Sequence, residues 1–328
     1  MKKVVITGAA GFIGSNLALF LKNDFNLVLL DNLSRTGSRT NRELLLKAGL
    51  DVEVVDVSNS LELFSFLENV GHFDSIIHLA AQTSLLESFL NPKLDFDTNA
   101  LGTLNILEFL RTQKTMCQGV FLASNKVYGS LNQFEYTETD KRYSPAAGFV
   151  SFDESLPILP IGGYSISKSI SDAYVSEYGK RYEMPIISLR QSAVYGPNQN
   201  SRSDQGWVSY FVERLKKNEK VFLRGKGKQV RDVLYIDDFS LLVKKLLISD
   251  LQNGEAFNVG GGADFSISIL ELFDIFTELT GKTLDFEVGA MADEDQKYFV
   301  SNNSKISKIV DWKPNIPPII GVQRLLQN

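Results

Sequence analysis

The sequence predicts an α/β fold: a doubly wound parallel sheet over residues 1–190, with a smaller mixed α/β C-terminal lobe over 191–328. Three observations predict it. The chain opens on a short apolar, β-branched run, then glycines at three-residue spacing, then a helical pattern. Strand and helix patterns alternate to about residue 190, and most of the strands end in a polar residue. Beyond that point the pattern loses its regularity, and part of 229–262 reads as returning to the first unit. At 328 residues the chain can bury a large core and form more than one domain.

The first strand is Lys3-Val4-Val5-Ile6-Thr7, followed by Gly8, Gly11 and Gly14 and a helix through Ser15–Leu21. Glycine lets the backbone turn tightly and approach a pyrophosphate with no Cβ in the way. The helix start then offers free N–H groups and partial positive charge to the phosphates. Strand, glycine turn and helix in this order make a Rossmann-type dinucleotide-binding unit. The second strand, Asn26–Leu30, ends in Asp31, whose carboxylate can accept both ribose hydroxyls and would repel a 2′-phosphate. Arg35 and Arg39 follow and could serve a phosphate, but Asp31 holds the strand tip, which favours NAD over NADP.

Further strands are expected at Val52–Val55 before Asp56, at Ser75–Leu79 before Ala80-Ala81-Gln82, at Gly119–Ala123 before Ser124, and at Pro185–Arg190. Helices are expected from Thr98 to Arg111 and from Tyr164 to Tyr182. Parallel sheets collect ligands beyond the carboxyl ends of their strands, so Gly8, Asp31, Asp56, Ala80 and Ser124 border one cleft. In the second half, 201–207 reads as a polar loop and 225–229 as a basic glycine turn before Val230–Leu234. Then come an acidic helix start at Asp237-Asp238, a short strand Phe257–Val259 and a triple-glycine turn. Phe12, Phe20, Phe64, Phe66 and Phe121 read as core, His78 as structural and Tyr128 as packing. The stretch 131–155 reads as a covering loop whose Asp153 and Glu154 are solvated.

Composition narrows the function classes. A net charge of −5 gives no footprint for nucleic acid. No apolar stretch reaches membrane-spanning length, and Gly8 interrupts the only N-terminal apolar run, so neither a membrane anchor nor a signal peptide is expected. Cys117 is the single cysteine, which fits a reducing, cytoplasmic setting. His72 and His78 alone leave no zinc cluster, so no metal is expected.

Tyr164 and Lys168 stand at i and i+4 and share one helix face. A tyrosine with a reference pKa of about 10 is a poor base at neutral pH. A lysine ammonium beside it favours the phenolate, as does the positive ring of an oxidised nicotinamide. With Ser124 at the end of the fifth strand, the pair suits removing a proton from a sugar hydroxyl while a hydride leaves the same carbon.

These segments resemble the extended short-chain dehydrogenases/reductases of the NAD-dependent nucleotide-sugar epimerase/dehydratase family. The likeness rests on Thr7–Gly14, Asp31-Asn32-Leu33, His78–Ala81, Asn99 with Gly102-Thr103, Ser124, Tyr164/Lys168, Arg231-Asp232-Val233, Phe257–Gly260 and Trp312-Lys313-Pro314. A narrower likeness, to the CDP-tyvelose (CDP-paratose) 2-epimerase group, rests on Ser124–Gly129, on 204–208, on Gly225–Leu234 and on Asp295-Gln296 with Phe299-Val300. The resemblance implies catalysis by Ser124, Tyr164 and Lys168. It implies NAD contacts at Gly8, Gly11, Phe12, Ile13, Gly14, Asp31, Asn32, Arg35, Asp56, Val57, Ala80, Ala81, Gln82, Asn99 and Lys168. For a nucleotide-diphosphate sugar, here a CDP-sugar, it implies Gln82, Asn125, Lys126, Gln191, Gln205, Val208, Arg231 and Gln296, with Arg231 on the diphosphate. Relatives pair through the two long helices, which implies a homodimer or homotetramer.

Two comparisons within the family sharpen the reading. The 4-epimerases carry an asparagine three residues after the arginine ending the sixth strand; here Arg190 is followed by Gln191-Ser192-Ala193. The dehydratases carry Asp-Glu after their active-site threonine; here Asn125 and Lys126 cannot act as that acid and base pair. For these two, turn polarity and sugar contact stand level as readings. There is also a departure: Ala292 stands where an arginine is expected, with Lys297 or Arg202 as candidate replacements. A 4-epimerase, a net dehydrogenase or reductase, and a non-catalytic NAD-binding regulator remain as alternatives.

Overall fold

The computed structural model describes residues 1–112, 116–202, 205–251, 253–291 and 295–327. Seven parallel strands form the central sheet. Five come first in the chain: β1 Lys3–Thr7, β2 Asn26–Asp31, β3 Val52–Val54, β4 Ser75–His78 and β5 Gln118–Ser124. The spatial order is β3, β2, β1, β4, β5, then the strands Ile186–Gln191 and Glu255–Val259. The order reverses between β1 and β4, and the crevice that opens there is where such sheets bind ligands. Val4, Val5, Ile6, Ile76, Ile77 and Val120 are fully buried, as strands covered on both faces require.

The edge strand Glu255–Val259 pairs with Ile186–Gln191, so the chain returns to the first unit after visiting the second. The helix Ile236–Leu246 packs beside the helix Phe12–Leu21. The smaller lobe holds a mixed sheet around Val230–Tyr235 and a separate parallel pair, Val221–Arg224 with Phe286–Gly289. One apolar core runs from the central sheet into this lobe, from Ile6 and Leu17 to Phe239, Phe276 and Trp312.

Several expectations need correction. The helix expected from Thr98 begins earlier: Pro92–Asp95 leads through a π-helical segment, Phe96–Leu101, into Gly102–Thr112. Phe20 is 38% exposed, because the opposite face of its helix meets the core. The 131–155 stretch is no loose cover. It contains the hairpin Tyr136–Glu138 with Tyr143–Pro145 and is anchored by buried Leu131 and Phe152. Within it Glu154 is not simply solvated, since its Oε1 accepts the Asn258 N–H at 2.6 Å. Asp204 and Ala292 lie outside the described residues.

Candidate active site

The glycine turn is shaped by close backbone approach. Gly8 has φ +66°, and a Cβ on it would sit 2.6 Å from Ala80 N. At Gly14 a Cβ would lie 2.2 Å from Gly8 O. Ala80 is held there by the Thr7 hydroxyl, which accepts its N–H at 3.1 Å. No side chain caps the helix Phe12–Leu21 at Gly11, so its first amides face the cleft without a competing acceptor. Phe12 and Ile13 are half-buried and pack their rings and branches toward the core.

At the β2 tip, Asp31 accepts N–H groups from Ala10 at 3.0 Å and Leu33 at 2.8 Å. Burial pushes its carboxyl up, and these donors with Arg35 draw it only part of the way back. Asn32 donates to Asp56 at 2.9 Å, which ties the ends of β2 and β3 together. Burial works against the Asp56 carboxylate, but Ser58 and Asn32 hold its pKa below the ordinary value. The residues present therefore fit a dinucleotide: a cradle that Cβ atoms would fill, uncapped amides, and a carboxylate at the ribose position.

Ser124, Tyr164 and Lys168 come together, each buried, where β5 ends against the helix Gly163–Arg181. The Ser124 hydroxyl works toward a lower Tyr164 pKa. Lys168 donates to Leu122 O at 2.8 Å. Burial dominates at Tyr164 and raises its pKa, despite Ser124 and Arg35, and Lys168 is not among the groups that lower it. Burial also lowers Lys168 to about 8, with Asp95 opposing. The free protein thus keeps the phenol protonated.

On the sugar side, Asn125 donates to Gln296 at 3.0 Å. Arg231 and Lys126 both converge on Asp295, at 2.7 and 3.0 Å. Burial alone would raise the Asp295 carboxyl; the two cations hold it well below the usual carboxylate range. The second cation beside Arg231 is therefore Lys126. Arg202 bonds Thr36 at 2.5 Å on the cofactor side, and Lys297 lies over the rings of Tyr136 and Tyr143. Gln191 is the register neighbour of Ser124, and its Oε1 is buried without a hydrogen-bond partner.

Some expected contact residues have their side chains committed inside the protein. Gln296 is 0% exposed and donates to Gly129 O at 2.8 Å, so it buttresses Asn125. Val208 is buried in the main core, and Val57 packs against Gly102. Asn99 binds both the N–H and the C=O of Gln82 and the Ser167 hydroxyl. The Gln82 amide in turn meets Ser84 and Asp95. Arg35 and Gln205 pair at 2.5 Å, and both reach Thr83. His78 sits between Thr7 and Thr103 at 2.7 and 3.1 Å, and burial lowers it to about 3. Tyr128 is fully buried and donates to Asn258.

Sequence reasoning missed Asp95, a buried carboxylate beside the Tyr164 helix. A signal was present. Asn91-Pro92 marks a helix start, and from there Asp95 and Asn99 fall at i and i+4 on one face.

Residues 4–260 match the family described as NAD dependent epimerase/dehydratase. A CDP-paratose 2-epimerase of Salmonella typhi is 36% identical over 98% of this chain and 98% of its own. A UDP-glucose 4-epimerase of Thermus thermophilus, solved with NAD, superposes with a TM-score of 0.82 at 27% identity, covering 99% of this chain and 98% of that one. A dTDP-glucose 4,6-dehydratase of Bacillus anthracis, also solved with NAD, gives 0.82 at 26% identity, covering 100% and 96%.

Proposed function

From membership of the NAD dependent epimerase/dehydratase family, to which this chain belongs, we propose that it inverts carbon 2 of a CDP-linked sugar. The observation that carries this is the neighbourhood of Ser124. Neutral Asn125 follows it, and Lys126 is a cation paired with Asp295. A 4,6-elimination needs an acid and a base at these two positions, whereas inversion at a carbinol carbon needs only a proton acceptor and a hydride carrier.

The glycine turn, Asp31 and Lys168 hold the cofactor. NAD, when bound, supplies the hydride acceptor and gives the same hydride back. Tyr164 takes the hydroxyl proton at its phenolic oxygen as the C–H bond breaks and the C=O bond forms. Because burial keeps that phenol protonated in the free protein, its ionisation waits on positive charge entering the cleft. Ser124 donates to the oxygen that becomes the ketone. Gln191, with its orphaned acceptor, suits a neighbouring sugar hydroxyl. Arg231 and Lys126 turn from Asp295 toward the diphosphate, where charge-assisted bonds are strong. After the ketone presents its other face, Tyr164 returns the proton, and no net redox results.

The enzyme acts as a homodimer or homotetramer in the cytoplasm. Its one cysteine, Cys117, is free and buried, and among the described residues no helix is long and apolar enough to cross a membrane. The test is incubation with CDP-paratose and CDP-tyvelose without added NAD. Interconversion at constant nicotinamide absorbance is expected, and Tyr164→Phe should abolish it. Stoichiometric NADH, or turnover surviving in Tyr164→Phe, would overturn the mechanism.

A further inference from the structure

Asp95 is 1% exposed, and nothing in the chemistry above uses it. It ends the short helix Pro92–Asp95 and lies under the first turn of Gly163–Arg181. Gln82 donates to its Oδ1 at 2.7 Å, while its Oδ2 is buried without a hydrogen-bond partner. A Cβ on Gly163 would sit 3.1 Å from Asp95 Oδ2 and 2.8 Å from Ser88 Oγ. The helix that carries Tyr164 thus begins in contact with this carboxylate. No side chain caps that helix at Gly162, and its positive end favours a negative neighbour.

Lys168 and Tyr164 face Asp95 from the long helix, and Glu87 from the helix Leu85–Leu90. Arg35 acts on Tyr164 from the β2 side, and His78 senses Lys168 rather than Asp95.

We propose that Asp95 is a positioning residue: its charge, held against the first turn of the Tyr164 helix by Gln82, sets the pH range in which Tyr164 and Lys168 work. The proposal rests on the reading of Tyr164 as the acid–base group. A carboxylate near a phenol disfavours the phenolate, and near an ammonium it favours the ammonium. Both groups therefore keep their protons to higher pH. Removing the charge lets both release them earlier, so both limbs of a bell-shaped profile move the same way.

Asp95→Asn keeps the size and an acceptor for Gln82. The pH profile of kcat/KM should move to lower pH on both limbs, by about one pH unit. A merely structural loss would lower the curve without moving it. As a second measurement, phenolate difference absorbance of Asp95→Asn against Asp95→Asn/Tyr164→Phe should show Tyr164 ionising at lower pH than in the parent. Limbs that stay in place, or a phenol that titrates where the parent's does, overturn the proposal. If Tyr164→Phe stays active, the epimerase mechanism fails, yet the phenolate titration still tests the coupling to Asp95.

Discussion

Gln191 is the side chain whose environment asks most directly for a ligand. Its Oε1 is buried at the end of its strand, beside Ser124, with no donor to meet it. A buried acceptor without a partner costs roughly 1–3 kcal/mol. Gln191→Leu removes that acceptor at similar volume, so the free protein should keep or slightly raise its melting temperature. The same change should raise KM for the nucleotide sugar about tenfold, the worth of one hydrogen bond to a sugar hydroxyl. Thermal melts and steady-state kinetics on one preparation check both halves. A destabilised variant with unchanged KM would mean that the amide serves the fold. Asp295 illustrates what a sequence hides at this scale. The string Asp295-Gln296 is visible as a motif, but that its carboxylate gathers Arg231 and Lys126 depends on positions 64 and 169 residues away.

Among the elements, the glycine turn was the most legible, because its chemistry is local. Positive φ at Gly8 and the contact of Gly14 with Gly8 O follow from the spacing of three glycines between a strand and a helix. Gly14→Ala puts a methyl group where the Gly8 carbonyl oxygen stands, so the turn must open. Acid extraction of the purified variant should then release far less NAD than the parent yields, and the melting temperature should fall by several degrees. Parental NAD content would show that the turn can yield without loss. The segment 92–101 was not legible, because its shape is not set locally. Helical periodicity suggested an ordinary α-helix from Thr98, but the chain takes a π-helical turn at Phe96–Leu101. The wider turn accompanies the orientation of Asn99 toward Gln82 and Ser167, contacts made across 17 and 68 residues. Asp95 lies just before that turn, in the helix that Asn91-Pro92 opens, so the local signal for it was there to be read.

For the molecule as a whole, the surface carrying the start of the Tyr164 helix exposes several large apolar side chains. Phe89 is 84% exposed, Leu90 70%, Phe96 51% and Ile166 47%. Along the long helix, Ile166 and Ala173 are exposed and Ile170 half-buried; on its neighbour, Leu101 and Leu104 are half-buried. Such spacing gives each helix one apolar stripe pointing outward. Two copies related by a two-fold axis could bury these stripes against each other, a self-complementary arrangement. Exposed apolar side chains that gather into one patch mark an interaction surface. Ile166→Glu places a carboxylate in the middle of the seam, and desolvating it there would cost more than the interface gains. Sedimentation velocity should show a dimer for the parent and a single chain for the variant. NAD content should be retained, since the Ile166 side chain is exposed while its neighbours Tyr164 and Lys168 are buried. A parent that sediments as a monomer, or a variant that stays paired, would move the interface off these helices.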